Sequence, residues 1–174
     1  VAADGTTTLT VGLAGGSLTM APFALTGLAG ALVVTGTGYA ASLRGTLALT
    51  VPDVTLAGDL TVLVNTTGAA VDTAVRVGGN DLALVAPGGA AYLRLVGTNV
   101  HLGVLGQTLT GDISVERAAA TKITLSDATL LLGGGVVSLT GATAEFTIDA
   151  AGVDGGFSGT LALALPGVAL TGTV

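Results

Sequence analysis

The chain has 174 residues with no Cys and no Trp, and 9% of them are charged, giving a formal net charge of −6. Without Cys there are no disulfides, zinc–thiolate sites or thiol catalysis, and the five cations are scattered rather than clustered, which excludes a basic surface for nucleic acid or anionic lipid. Half of the residues are hydrophobic but only two Tyr and three Phe are aromatic, so we expect a thin core of Val, Leu and Ala.

Membrane and export signals are not expected in the chain as given. No run of about 18 apolar residues lacks Gly, Thr or charge, so the sequence predicts no transmembrane helix. The first residues, VAADGTTTL, show neither a basic segment nor a long apolar one, so no signal peptide is expected.

Apolar residues alternate with Thr, Ala and other small residues along the whole chain, with the period of two that is typical of β-strands. Gly-rich breaks separate the strands at intervals of about 8–12 residues, which favours an all-β protein. In chain order, the predicted strands are 8–13, 17–20, 31–35, 47–51, 54–64, 71–77, 81–85, 92–96, 100–104, 108–113, 123–125, 129–132, 136–139, 144–148, 161–165 and 168–170. The best helix candidate, 116–120, is too short to be stable alone.

The segment 47–64 predicts a β-hairpin around Pro52-Asp53. A two-residue loop there places Val51 opposite Val54 and Leu49 opposite Leu56, so turn and apolar pattern agree on one register. The same pattern predicts a hairpin with its turn at 106–107 and another with its turn at 166–167.

One stretch of the sequence is duplicated with partial identity. GTLALTVPDVTLAGDL (45–60) and GTLALALPGVALTGTV (159–174) agree at nine of sixteen positions when offset by 114. Upstream, 9–11 lies over 123–125 at the same offset. We therefore predict a tandem repeat of about 114 residues, with the first unit over 1–122 (core 9–122) and the first half of the next over 123–174.

These patterns predict an all-β fold built as an elongated antiparallel β-hairpin repeat array, a continuous ribbon similar to a solenoid. Tandem immunoglobulin-like β-sandwiches are the alternative, because about 114 residues suits one such domain. The ribbon is favoured because the sequence offers no large aromatic anchor for a sandwich core and no Pro-rich linker between the repeats.

Acidic residues suggest turn and surface roles. The nine Asp residues, which are Asp4, Asp53, Asp59, Asp72, Asp81, Asp112, Asp127, Asp149 and Asp154, are spread along the chain. Calcium sites need six or more oxygens from clustered ligands, so calcium at joints between repeats is the weaker alternative. Glu116 and Glu145 lie in different predicted strands, and nothing selects them as a glycosidase pair. The sequence therefore predicts no metal ligands, no catalytic residues and no cofactor.

The remaining candidates are single residues or short segments. His101 is the one histidine, so it cannot build a multi-histidine metal site, and we expect an exposed strand residue. Tyr92 and Arg94 lie two apart in a strand and share a face, where cross-strand packing is favoured over binding. Asn65 begins an Asn-Thr-Thr glycosylation triplet. The Gly-rich segments 12–16 and 131–137 lack a phosphate-binding pattern and are expected to be turns or bulges.

The blocks VNTTGAAVD and AYLRLVGTNVHLGVLGQTLTGD, together with the duplicated GTLAL-x-[Val/Leu]-Pro-x-Val-x-Leu-x-Gly, resemble the tandem β-rich repeats of very large bacterial secreted or cell-surface proteins of the adhesin or matrix type. The resemblance covers most of the chain. It implies a repetitive extracellular scaffold and supplies no catalytic residues.

The expected function is structural: a segment of an extracellular or cell-surface β-rich fibre, stalk or adhesin, with no enzymatic activity. Lys, which commonly protects exposed sheet edges, occurs once, at Lys122, so we expect self-association with neighbouring repeats or identical chains. The alternative is a β-groove that binds or transports lipid acyl chains, because a mean hydropathy of +0.85 would suit an apolar lining.

Overall fold

The computed structural model describes residues 8–174, and most of them form β-strands. The strands are β1 (Leu9–Met20), β2 (Phe23–Thr35), β3 (Gly38–Val51), β4 (Val54–Asn65), β5 (Val71–Val77), β6 (Asn80–Ala86), β7 (Tyr92–Val104), β8 (Gln107–Arg117), β9 (Thr121–Leu132), β10 (Val137–Asp149), β11 (Gly152–Leu165) and β12 (Val168–Thr173). A single 3₁₀ turn, Gly133–Gly135, connects β9 to β10. The described part contains no helix long and apolar enough to cross a membrane.

Ten of the strands form one antiparallel sheet in the order β1-β2-β3-β4-β7-β8-β9-β10-β11-β12. Strands adjacent in the sheet are also adjacent along the chain, except that β5 and β6 form a separate two-stranded sheet between β4 and β7. The prediction of an elongated array of antiparallel hairpins is therefore confirmed. The described strands do not form the two stacked sheets of the sandwich alternative.

The pairing of β3 with β4 confirms the predicted register, since Val51 lies opposite Val54 and Leu49 opposite Leu56. Pro52 fixes φ near −65° at the first turn position and Asp53 takes a positive φ of 62° at the second, as a type II turn requires. The turn at Pro166-Gly167 follows the same plan, with Gly167 at φ 81°.

Cross-strand partners share a face, so the register divides the sheet's side chains into two sets. We call one set the apolar face. Its longest row of directly paired residues runs from β2 to β11: Phe23, Leu49, Leu56, Leu102, Leu109, Leu130, Leu139 and Leu161. A second row contains Leu43, Val62, Leu95, Val115, Ile123 and Phe146. The described residues include no second layer over this face.

The opposite set, which we call the polar face, consists mainly of Thr, Ser and charged residues. Its central rows contain Arg44, Thr61, Ser114, Thr124 and Glu145, and beside them Arg94, Glu116, Lys122, Thr147 and Asp154. Thr and Leu therefore alternate along the strands because one residue type faces each side of a single layer.

The β5–β6 hairpin covers the polar face over the first four strands, where that face becomes apolar. Ala31, Val33 and Ala40 of the sheet are buried together with Leu82 and Leu84 of β6. Gly12 lies beneath β5, where an added Cβ would meet side-chain atoms of Val75 and Val77. The hydrophobic core is thus small, as the composition predicted, and it lies at one end of the sheet.

Gly-rich positions that were predicted to separate short strands are β-bulges inside long ones. Gly27 (φ 61°) lies at the register shift between β2 and β3, and Gly141 (φ 57°) lies at the shift between β10 and β11. Each residue supplies the left-handed conformation that one class of bulge requires. The pairs 8–13 and 17–20, 123–125 and 129–132, and 136–139 and 144–148 therefore belong to single strands, β1, β9 and β10.

The segment 116–120, which the sequence predicted to be too short for a stable helix, is not helical, because Glu116 and Arg117 end β8 and pair with β9. One further local prediction was wrong. The hairpin turn between β7 and β8 is Leu105-Gly106, one residue earlier than predicted, since Val104 pairs with Gln107. Both turn residues take positive φ, 51° and 78°, as a type I′ turn demands.

The duplicated sequence corresponds to duplicated geometry. β3 and β11 are both 14 residues long and begin 114 positions apart, and the bulges at Gly27 and Gly141 have the same spacing. The first strands follow a different offset, because the connection from β9 to β10 is two residues longer than that from β1 to β2. By register, Leu18 therefore corresponds to Leu130, since they pair with Leu25 and Leu139. The unit bounds 1–122 and 123–174 stay a prediction.

Candidate functional site: the two faces of the sheet

The apolar face packs against itself within one layer. At Gly97 the backbone is covered by its neighbours, and an added Cβ would lie 2.8 Å from Val100 Cγ2 and 3.0 Å from Ile113 Cγ2. At Gly159 an added Cβ would lie 2.8 Å from Leu139 Cδ1. Valine, isoleucine and leucine side chains cover these glycines. Many of the apolar side chains are therefore half-buried, although no second layer covers them in the described part of the chain.

Toward β11 and β12 the apolar face is more exposed. Phe157 is 64% exposed, Val153 is 70% exposed and Leu170 is 62% exposed. Large apolar side chains are normally exposed singly on soluble monomers, whereas contiguous patches mark interaction surfaces. The exposed apolar residues here belong to the same continuous face, so this surface is the strongest candidate for a function.

The size of the apolar face supports this assignment. Strands about 4.8 Å apart and about 12 residues long, at about 3.3 Å per residue, give ten strands a face of roughly 1,900 Å². The largest apolar patch on a typical monomer is about 300–600 Å². A standard protein–protein interface buries about 800 Å² on each partner, so the face is large enough to take one.

The polar face carries opposite charges on successive strands. Arg94 Nε lies 3.9 Å from Glu116 Oε2, and Lys122 Nζ lies 2.9 Å from Glu145 Oε1. These four residues lie on β7, β8, β9 and β10 in turn, and their side chains are about half exposed. Exposed ion pairs contribute about 0.2–1 kcal/mol each. Each glutamate thus has a cationic neighbour, and the two glutamates lie on strands that are separated by β9.

Tyr92 is buried at the start of β7, on the same face as Arg94. Burial raises the pKa of Tyr92 and the nearby Glu116 carboxylate raises it further, while Arg94 acts in the opposite direction. The predicted arrangement of ring and cation on one face is therefore present. Because the ring is buried, it is not presented to a ligand.

His101 is exposed on the polar face, between Ala57 of β4 and Thr110 of β8. It lines an open depression of about 460 Å³ with Asp112 and Asp127. In the described part, no group of three or more His, Cys, Asp or Glu side chains is arranged to hold a metal ion.

Several aspartates stabilise turns and bulges. Asp112 Oδ1 accepts a hydrogen bond from the backbone N–H of Asn99 at 2.8 Å, and Asp149 Oδ1 accepts one from Ala151 N–H at 2.7 Å. Asp59 Oδ1 accepts one from Thr46 Oγ1 at 2.6 Å. Asp4 lies outside the described residues.

Asn65, the first residue of the glycosylation triplet, is buried at the end of β4 with 2% of its surface exposed. Its Nδ2 donates hydrogen bonds to the carbonyl oxygens of Ala69 and Pro87, both at 2.8 Å. Its Oδ1 accepts from Thr67 N–H at 3.0 Å and from Thr67 Oγ1 at 2.8 Å. The side chain thus joins the loops that lead into and out of the β5–β6 hairpin, and its amide nitrogen is already engaged.

Of the single-residue candidates from the sequence, Asn65 and Tyr92 lie opposite each other on β4 and β7, with Arg94 two residues further along β7, whereas His101 lies beyond the bulge in that strand. Sequence analysis did not identify the apolar face as a whole. The signal was present as Leu and Val at alternate positions of every long strand, but pairing across ten strands is needed to join those positions into one surface.

Comparisons of the chain with protein-family models, with curated proteins and with solved structures found no match.

Proposed function

We propose that the chain is a structural segment of an extracellular or cell-surface β-rich fibre, stalk or adhesin, and that it has no catalytic role. The observation that carries the proposal is the continuous apolar face, which extends across the ten-stranded sheet without a covering layer in the described part. Copies of such a sheet gain hydrophobic free energy, at about 25 cal/mol per Å² buried, when they associate through that face.

The composition of the polar face supports the same function. Thr and Ser are the most frequent residues on it, and the charges of Arg94, Glu116, Lys122 and Glu145 alternate in sign from β7 to β10. A weakly charged, hydroxyl-rich exterior opposes association less than a face of one charge sign. The extracellular location is proposed from the resemblance of the repeats.

The test is negative-stain electron microscopy with sedimentation velocity of the purified chain over a range of concentrations. We expect rods, or rods bundled side by side, that grow in number and length as the concentration rises. Compact monomers at every concentration would contradict the proposal.

A pair of variants on one strand tests the role of the apolar face. Phe157 and Ser158 are adjacent, both exposed, and lie on opposite faces of β11. Phe157→Lys places a charge on the apolar face and should reduce association at least tenfold, whereas Ser158→Lys should leave it within about twofold of wild type. Equal effects of the two variants would show that the apolar face is not the contact.

Binding of lipid acyl chains is the second candidate, because the same apolar face could be covered by hydrocarbon. Organic extraction of the purified folded chain, followed by mass spectrometry, should then recover lipid in stoichiometric amount. Recovery of lipid from a monomeric sample would favour this function over the fibre, and lipid-free rods would exclude it.

A further inference from the structure

The β5–β6 hairpin has an unpaired edge in the interior of the chain. β5 and β6 form a two-stranded sheet between β4 and β7, so among the described residues neither strand has a partner on its other side. The exposed side of β5 carries the charged residues Asp72 and Arg76. The exposed side of β6 carries Asp81 at its start, followed by Ala83 and Val85. Charge protects a strand edge against further pairing, so β6 has the less protected edge over most of its length.

The register of the hairpin identifies the free backbone groups of β6. Its turn consists of two glycines with φ values of 56° and 86°, so the flanking pair, Val77 and Asn80, exchanges backbone hydrogen bonds. From there, hydrogen-bonded and non-hydrogen-bonded pairs alternate along the antiparallel strands. The N–H and C=O groups that point away from β5 are therefore those of Asp81, Ala83 and Val85. They present the row of donors and acceptors with which an added extended strand pairs.

This edge of β6 borders an open groove on the polar face. The groove has a volume of about 250 Å³ and lies between β6 and the surface of β3, β4 and β7. Leu63 and Val96 supply apolar surface on its floor, and Arg94 supplies the one charge among its lining residues. Ala83 and Val85 line it on the side of β6. The hairpin packs mainly on β1 to β4, and the described residues place no other layer over β7 and β8, so an added strand has room.

The same edge of a second copy does not fit this groove. Leu82 and Leu84 face the large sheet from one side of β6. Two β6 strands paired antiparallel about a two-fold axis would present these leucines on the same side, so both large sheets would lie in one layer. In that layer, β7 of the first copy already lies beneath the groove. The geometry therefore favours an extended segment that carries no sheet of its own beside the contact.

We infer that the outer edge of β6 binds an extended segment of a partner protein, which adds to the hairpin as a third strand. Main-chain hydrogen bonds to the three outward-facing residues of β6 supply affinity, and pockets for alternate side chains supply specificity, as in other cases of strand addition. Because this site lies on the polar face, the inference does not rest on the proposed association through the apolar face.

The groove defines the chemistry of the bound segment. Every second side chain of an extended strand points to the same side, so alternate residues of the segment face the floor of the groove. Apolar side chains there contact Leu63 and Val96, and a carboxylate pairs with Arg94. The existing ion pair of Arg94 with Glu116 is long, at 3.9 Å, and about half exposed, so the guanidinium is accessible to a second carboxylate. The partner segment therefore carries Val-like residues and one acidic residue on the same side.

Fluorescence anisotropy with the labelled peptide Thr-Val-Thr-Val-Thr-Asp-Thr tests the site in the whole chain, because its Val and Asp residues share one side of an extended strand. We expect saturable binding that weakens about tenfold in Ala83→Pro, since proline removes the N–H at the centre of the free edge. Ala74→Pro is the matched control, because exposed Ala74 lies opposite Ala83 and its N–H points to the other edge of the hairpin. Equal losses in the two variants, or no saturable binding to wild type, would overturn the inference.

A change of charge tests the groove without altering the backbone of β6, and so decides the case in which circular dichroism shows that Ala83→Pro does not fold. Replacing the Asp of the peptide with Asn should weaken binding to wild type about threefold, as for an exposed ion pair. The same replacement should leave binding to Arg94→Gln unchanged. An equal loss with both proteins would overturn the contact with Arg94.

Hydrogen exchange locates the bound segment on the hairpin. Saturating peptide should slow exchange at the amides of Asp81, Ala83 and Val85, because these N–H groups become donors to the added strand. The outward-facing amides of β5 should exchange at their original rates. Protection of β5 in place of β6, or of neither strand, would overturn the inference.

Discussion

Asn65 and Tyr92 face each other across β4 and β7, and both are buried where the β5–β6 hairpin leaves and rejoins the sheet. A buried polar side chain stabilises a fold only when its hydrogen bonds are satisfied. Asn65 satisfies both amide hydrogens and its carbonyl oxygen with groups of the adjoining loops. At this scale, one amide joins the two loops that connect the hairpin to the sheet.

Asn65→Asp tests that dependence. The substitution replaces the donor that contacts Ala69 and Pro87 with a carboxylate oxygen, which repels both carbonyl oxygens. We expect the free energy of unfolding to fall by about 2–4 kcal/mol, as for a buried group that loses its partners. Urea denaturation measures this, with Asn80→Asp as the control because Asn80 is exposed at the hairpin turn. Equal losses in the two variants would contradict the role of Asn65.

Tyr92 predicts a pH dependence of stability. Burial raises its pKa above the ordinary value of 10.0, and Glu116 adds to the effect. The folded state then binds the phenolic proton more tightly than the unfolded state, so stability is retained below about pH 10 and falls as the pH rises toward the folded-state pKa. Denaturation measured from about pH 8 to about pH 11 should show a smaller loss of unfolding free energy for Tyr92→Phe than for wild type. Tyr39→Phe, at an exposed position, should follow the wild-type curve.

The β5–β6 hairpin is the element that turns a single-layer sheet into a structure with a core. Its inward side chains cover Ala31, Val33 and Ala40 on the first four strands. The residues corresponding to these in the second unit are Glu145, Thr147 and Asp154, so the polar face of β9–β12 does not offer the same apolar platform.

Substitutions in β6 test the contribution of this core. Leu84 is fully buried and Val85, its neighbour, is 61% exposed. Leu84→Ala should destabilise the chain by about 2–5 kcal/mol through lost burial and a residual cavity, whereas Val85→Ala should change stability by less than about 0.5 kcal/mol. Hydrogen exchange should also accelerate at β5 and β6 amides in Leu84→Ala. Similar unfolding midpoints for the two variants would show that the hairpin is not stabilising.

The strands illustrate which parts of the fold the sequence could predict. Val71–Val77 was predicted with its observed bounds because alternation and flanking breaks are local signals. Gly27 and Gly141 were misinterpreted as breaks because a glycine in a bulge and a glycine in a turn look alike without the partner strand. The position of the hairpin on the sheet was not predictable, since it depends on Ala31 and Val33 facing the side on which other strands carry Thr.

At the scale of the whole molecule, stability is distributed unevenly across the sheet. Strands β4, β7 and β8 are paired on both sides in its interior, whereas β1 and β12 are paired on one side in the described part. The continuous apolar face was not predictable from sequence, because the segregation of residue types into two faces becomes visible only after ten strands are placed in register.

Hydrogen exchange should reveal this gradient. In dilute solution, amides of β1 and β12 should exchange faster than those of β7 and β8, because strands paired on one side open by fraying. Equal exchange rates in these four strands would contradict the expected gradient.

The unequal covering of the polar face gives any filament of this chain a surface relief. The β5–β6 hairpin forms a ridge over β1–β4 and leaves β7–β12 smooth. The hairpin lies on the polar face, so copies that associate through the apolar face keep this ridge on their outer surface. Each chain would then contribute one ridge to the outside of the assembly.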